Sequence, residues 1–233
     1  MKIVSLNIWN GRLPSELKKF FKKYSNEIDI FCLQEIFTAH NTSVTDDFLD
    51  TPEKIKNVLG SGYSYVSDNN GLMICFKNSC EIKSHNIVEV FKQGDFTKNI
   101  LTVLLTKNGT DYLIATVHGI WSKEGRGDTP ERLKQSEIIK GVFDKYKTKK
   151  ILTGDLNILP TTESVIMLER GMVNLIKSYN ILSTRTSFRK HTNLDKEAEN
   201  FADYIFVSPD VNVKAFKVIS EEVSDHYPLM LEI

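Results

Sequence analysis

Asp155 and Asn157 stand two residues apart at the end of the apolar run 150–154. In an extended segment, residues i and i+2 project to one side. Both would then face a single target, with Leu156 turned into the core. A carboxylate that only accepts, beside an amide that also donates, can hold a water and an anionic oxygen together. The same pair can equally close an Asx turn that ends a strand. Other polar residues share this placement. Asn7 follows the run 2–6, Glu35 follows 28–34, His118 follows 112–117, and Asp225-His226 precedes 227–231. Carboxylates, amides and imidazoles are costly to desolvate unless they share partners. One convergent polar pit is therefore expected, with a metal ion and a phosphate as its occupants.

Each residue has a bland reading beside the chemical one. Glu35 is a suitable oxygen ligand for a hard cation such as Mg²⁺, or a surface carboxylate just past a strand. His226 needs a carboxylate on one ring nitrogen to fix its tautomer and raise basicity at the other. Asp225 is adjacent in sequence and would point to the opposite side of an extended chain. Asp203, in the segment 201–205, is the candidate instead; otherwise His226 is a hydrogen-bonded structural histidine. His118 is alone in its segment, and structural and functional readings stand equally open. Asn7 taken alone could simply make a turn. A set of Glu, Asp and Asn with two histidines, and no cysteine nearby, suits Mg²⁺ or Mn²⁺ better than Zn²⁺. There is no Gly-rich phosphate loop, no G-x-S-x-G elbow and no dinucleotide fingerprint.

The elements that must position these groups are mostly strands. Strand-like runs fall at about 2–8, 28–34, 63–67, 71–77, 82–91, 99–106, 111–117, 150–154, 203–208, 211–219 and 227–233. Asn108-Gly109 predicts a two-residue hairpin turn, and Asn70-Gly71 a further turn. Helical periodicity covers 14–24, with Pro14 in the first turn, and 130–146. A shorter helix is expected over 161–168, capped by Thr161 or Thr162. Lysines 18, 19, 22 and 23 form the solvated face of the first helix. Strands outnumbering interrupting helices predict an α/β fold with two mixed sheets face to face and helices outside. Polar loops at 38–52, 121–129 and 189–200 adjoin the marked strand ends and could select a substrate.

The chain has 233 residues, 41% hydrophobic, which suits a single domain over 1–233. Its 30 basic and 30 acidic residues cancel, so no overall basic footprint marks a nucleic-acid binder. Three cysteines are too few for a disulfide framework, which implies a reducing compartment and a cytoplasmic location. No signal peptide is evident, and no apolar run approaches the ~18 residues of a membrane span.

The ordered set Ser5-Leu6-Asn7, Leu33-Gln34-Glu35, Val117-His118, Gly154-Asp155-Leu156-Asn157, Asp203-Tyr204-Ile205-Phe206 and Ser224-Asp225-His226 resembles the endonuclease/exonuclease/phosphatase (DNase I-like) superfamily. The resemblance spans essentially the whole chain. It implies a four-layered α/β sandwich and a metal-dependent phosphoester hydrolase acting as a monomer. It also implies roles: Glu35 binds the metal with Asn7 beside it, and Asp225 is a further metal-side carboxylate. Asp155 positions or deprotonates the water, and Asn157 holds water or phosphate. His226, oriented by Asp203, contacts the phosphate or acts as base, and His118 steadies the phosphate or the leaving group. Trp9 stands where apurinic endonucleases often carry an acid, and His118 where they tend to have Tyr. Both departures point toward DNase-like, sphingomyelinase-like or tyrosyl-DNA-like members. Gly125-Arg126-Gly127 and Glu131-Arg132-x-x-Gln135 look somewhat like the last branch, although Arg and Gln at i, i+3 can equally serve packing. The first expectation for the substrate is a nucleic-acid phosphodiester. The alternatives are a small phosphorylated metabolite or lipid head group, or an inactive binding relative.

Overall fold

The computed structural model describes residues 1–36, 49–123, 125–188 and 200–233. The chain opens with Lys2–Asn7 (β1), Pro14–Tyr24 (α1), Ile30–Ile36 (β2), Pro52–Leu59 (α2), Tyr63–Ser67 (β3) and Gly71–Lys77 (β4). It continues with Glu81–Gln93 (β5), Phe96–Lys107 (β6), Thr110–His118 (β7), Pro130–Asp144 (α3), Lys149–Asp155 (β8) and Glu163–Glu169 (α4). Val173–Asn174 (β9), Leu175–Ser178 (α5), Asp203–Val207 (β10), Ala215–Val218 (β11) and Leu229–Glu232 (β12) follow.

Period-two alternation decides the layering. Along β2 and β4, Ile30, Cys32, Leu72, Ile74 and Phe76 join one core, shared with the other sheet. Their neighbours Phe31, Leu33, Met73 and Cys75 join a second core with Leu17, Phe20 and Phe21 of α1. Both strand faces are thus apolar, and the sheet must be covered on both sides. The strand orders are β11-β12-β1-β2-β4-β3 and β5-β6-β7-β8-β10-β9. With α1 and α2 on the first sheet and α3 and α4 on the second, the result is the expected four-layered sandwich of two mixed sheets.

Local signals explain most boundaries. Pro14 opens α1, and Thr162 caps α4 by accepting from the Val165 N–H. Asn108 and Gly109 have φ of 51° and 73°, the left-handed pair of a tight hairpin turn. They set the pairing Lys107↔Thr110 at the foot of β6 and β7. The expected strand at 211–219 shrinks to Ala215–Val218. The expected helix at 130–146 ends at Asp144. α2, β9 and α5 were not expected. The 38–52 and 189–200 loops fall largely outside the described residues.

Each sheet contains one parallel pair, β1–β2 in the first and β7–β8 in the second. Parallel neighbours end at the same edge. Asn7 lies opposite Gln34, and His118 opposite Asp155. The antiparallel β10 starts where β8 ends, with Asp203 opposite Asp155. β12 runs antiparallel to β1, so the residues that precede it arrive at that edge too.

Candidate active site

All the marked strand ends therefore meet at one end of the sandwich. Asp155 is the hub. Its Oδ1 accepts from the Asn157 N–H at 2.8 Å, closing an Asx turn in which Asn157 has φ of 55°. Its Oδ2 faces inward, 3.1 Å from Asn7 Nδ2, 3.5 Å from His226 Nε2 and 3.9 Å from His118 Nε2. Leu156 turns into the core as expected. Asn157 leaves the strand with left-handed φ at this Asx turn, and its Nδ2 lies 3.5 Å from the Gly119 carbonyl. Gly119 packs so closely that a Cβ would stand 2.3 Å from the Leu156 oxygen.

Glu35 reaches the pit through a defect. The β2–β4 pairing slips between Gln34 and Ile36, leaving Glu35 as the extra residue of a bulge with φ of 62°. Bulges re-aim side chains next to active sites. A left-handed non-glycine residue costs about 1–2 kcal/mol. Gln34, beneath it, ties the two sheets by donating to Thr116 Oγ1 at 2.7 Å. Asn7 is the strut between the acids. Its Nδ2 donates to Glu35 Oε1 at 3.0 Å as well as to Asp155, while its Oδ1 accepts from the Trp9 N–H at 2.9 Å. That last bond fixes the amide with its nitrogen, not its oxygen, toward the carboxylates.

The two histidines approach the hub from different surroundings. His226 Nδ1 meets Asp203 Oδ1 at 2.9 Å and Oδ2 at 2.8 Å. Asp203 also accepts from Thr184 Oγ1 at 2.9 Å. Asp203 is thus the orienting carboxylate the sequence suggested. Asp225 is present as well, its Oδ1 3.6 Å from His226 Nε2. The segment before β12 bends, so alternation does not separate adjacent side chains there. Burial and Arg185 push the His226 pKa down, but Asp203, Asp225 and Asp155 outweigh them and it rises. Burial likewise works against the Asp155 carboxylate, yet His226, His118, Arg185 and the Asn157 N–H hold its pKa below the usual range. His118 has the opposite fate. Burial and the Lys98 ammonium push its pKa down to about 3. Lys98 Nζ, 3.2 Å from His118 Nδ1, can only donate, which leaves the hydrogen on Nε2.

A divalent cation fits this donor set. Glu35 is about four-fifths buried, its side chain 19% exposed, and no Lys or Arg pairs with it among the described residues. Burial raises its pKa, an effect that outweighs the Asn7 hydrogen bond. A buried carboxylate without a cationic neighbour is costly, and a hard cation bound by oxygen removes that cost. Ligand atoms of Asp155, Asp203 and His226 also lie within 4.8 Å of one another. That group is already closed on itself by the His226–Asp203 bond.

Sequence reasoning missed two cations here. Lys98 reads in the sequence as one more polar residue of a strand. Arg185, its side chain 10% exposed, lies 3.6 Å from Asp225 Oδ2 in a stretch without periodicity. The Arg132 signal resolves as packing. Its guanidinium donates to the carbonyls of Ile120, Gly125 and Gly127, holding those residues against α3, and Gln135 Oε1 faces the Ile120 N–H at 3.4 Å.

A two-sheet sandwich with acids, amides and paired histidines at one end defines a DNase I-like phosphoester hydrolase. The family model described as Endonuclease/Exonuclease/phosphatase family matches residues 4–226, and the chain belongs to that family. No curated protein matches the sequence. Among solved structures, a mannosyl-6-phosphatase of Bacteroides thetaiotaomicron is 18% identical with a TM-score of 0.78, covering 100% of this chain and 98% of its own. D. rerio TDP2, complexed with single strand DNA product, is 17% identical with a TM-score of 0.77, covering 99% of this chain and 97% of its own. Truncated Caenorhabditis elegans TDP2 is 20% identical with a TM-score of 0.73, covering 99% of this chain and 95% of its own. At such identities the likeness is one of fold.

Proposed function

We propose that this chain hydrolyses phosphodiester bonds in nucleic acid, using water held at Asp155 and a divalent cation, Mg²⁺ or Mn²⁺, at Glu35. The observation that carries the hydrolytic part is the convergence of Asn7, His226 and His118 on Asp155 Oδ2. Asp155 is held as a carboxylate and accepts from the water. His226, favoured as the cation and oriented by Asp203, donates through Nε2 to a phosphoryl oxygen. His118 stays neutral and offers its Nε2 hydrogen on the opposite flank. Asn157 steadies the turn that aims Asp155 and lines the water site. Asn7 holds Glu35 in place for the cation, and Asp225 adds negative charge at the rim. When bound, the cation supplies charge neutralisation on the phosphate and leaving oxygen. Phosphoryl transfer needs mainly such positioning and electrostatics.

Exposed or paired aromatic residues close in sequence to the site residues support a nucleic-acid substrate. Trp9 follows Asn7 and packs 6.4 Å from Phe188, while Trp121 and Phe96 are 66% and 53% exposed near His118 and Lys98 in sequence. Such rings can stack bases, at about 1–3 kcal/mol each. The zero net charge favours a second reading, a small phosphomonoester or lipid head group, because a polyanion binder usually carries a basic track. The structural neighbours include proteins of both kinds and do not choose between them. The site draws on residues from Asn7 to His226, which supports a single domain over 1–233, here proposed to act as a monomer. No described helix is long and apolar enough to cross a membrane, and buried free cysteines suit a cytoplasmic setting.

The test is Mg²⁺-dependent cleavage of plain, abasic-site and 5′-tyrosyl oligonucleotides beside a sugar phosphate, with EDTA and Asp155→Asn controls. Oligonucleotide cleavage lost in both controls is the expected result. Turnover of the sugar phosphate alone would move the assignment to the second reading.

A further inference from the structure

Arg185 lies in a short strap whose backbone pairs with residues 225–227 at the site. Its backbone forms an antiparallel bridge with His226. The Thr186 N–H bonds the Asp225 carbonyl at 3.1 Å, and the Tyr227 N–H bonds the Thr184 carbonyl at 2.8 Å. Thr184 and Thr186 are buried and bonded: Thr184 Oγ1 donates to Asp203, and Thr186 Oγ1 to the Ser224 carbonyl at 2.8 Å. Arg185 is therefore held by the backbone ladder that sets His226, next to the threonine that bonds Asp203.

Its side chain is nine-tenths buried, yet Nε and Nη1 have no hydrogen-bond partner among the described residues. The Asp225 carboxylate at 3.6 Å from Nη1 is beyond hydrogen-bond range. Asp155, Asp203, His118 and His226 all feel its charge, so it belongs to the pit. Buried donors left without acceptors are costly. Guanidinium groups prefer phosphate oxygens as partners. The geometry points to Arg185 as the residue that receives a non-bridging oxygen of the scissile phosphate, on the His226 side of Asp155. This rests on the phosphoester reading above. Internal diesters and terminal monoesters both present such an oxygen.

The test measures inorganic phosphate binding by isothermal titration calorimetry and steady-state kinetics on an oligonucleotide and a sugar phosphate. Wild type is compared with Arg185→Gln and Arg185→Lys, each checked for an unchanged melting profile. Losing a charge-assisted hydrogen bond should lower kcat/KM on the true substrate, and phosphate affinity, by roughly 10- to 100-fold in Arg185→Gln. Arg185→Lys should recover part of both. The preferred substrate arm tells diester from monoester. A folded Arg185→Gln that binds phosphate and turns over like wild type would overturn the assignment while leaving hydrolysis standing. A wild type that neither binds phosphate nor cleaves any phosphoester would remove the phosphoester reading, and this inference with it.

Discussion

His118 and His226 stand at almost the same distance from one carboxylate oxygen, 3.9 and 3.5 Å, yet they carry opposite tendencies. Both are largely buried, at 13% and 3% side-chain exposure. The difference lies in what backs each ring. Behind His226 stands a carboxylate, Asp203, which favours the imidazolium. Behind His118 stands an ammonium, Lys98, whose charge adds to burial in favouring the neutral ring. One residue type thus supplies a charged donor on one flank and a neutral donor on the other, and the partner decides which.

The comparison breaks most completely at the shared hub. Asp155→Asn should lower kcat by roughly 10²–10⁴, since both flanks then lose the group they converge on. Full turnover by that variant, measured under saturating Mg²⁺, would end the mechanism. Asp203→Asn attacks the His226 flank alone and should cost about 10²-fold, because the ring loses its charged partner and its orientation. Nuclear magnetic resonance of the imidazole should show His226 shifted toward the neutral form. On the other flank, Lys98→Met should cost about tenfold or less. There the ring keeps its place at the end of β7, burial still favours its neutral form, and the tautomer is released; equal losses from Lys98→Met and Asp203→Asn would show the flanks to be equivalent.

The smallest effect sharpens the same lesson in a carboxylate outside the pit. Burial works against ionised Asp128, but the Ser164 hydroxyl and the N–H groups of Ser164 and Glu163 at the start of α4 hold its pKa below the usual range. The stability it adds is present above the unfolded value of ~3.9 and is lost as pH falls through the lower folded value. Asp128→Asn should therefore destabilise by under about 1 kcal/mol at pH 7, and the gap should close in denaturant titrations near pH 3.

Much of this site could be read from residues alone, because polar groups at the ends of buried strands are conspicuous against Ile, Val and Leu. The parallel pairs β1–β2 and β7–β8 then bring those ends together without further information. Strand alternation is a weaker guide at two places: Asn157 has left-handed φ and Asp225 lies in a bend, 3.6 Å from His226 Nε2, although Asp203 rather than Asp225 holds Nδ1, as the sequence suggested. Lys98 was hidden because a lysine on a long hairpin strand looks like any solvated lysine. Arg185 was hidden because its strap, held by backbone bonds to 224–227, has no hydrophobic period. α2 escaped for another reason: its eight residues were too short a window beside the polar stretch that precedes them.

In the first sheet β1 lies between β2 and β12, and Ser224 Oγ bonds the Asn7 carbonyl at 2.7 Å. β1 thus finds one of its two neighbours only when residues 229–232, more than two hundred positions further along, reach it. Contacts so distant in sequence form slowly. A nascent chain would carry Asn7 and Glu35 side by side long before His226 exists to face them. The proposed site is therefore complete only when β1 has paired with β12, which brings residues 224–226 to the edge where Asn7 and Glu35 lie.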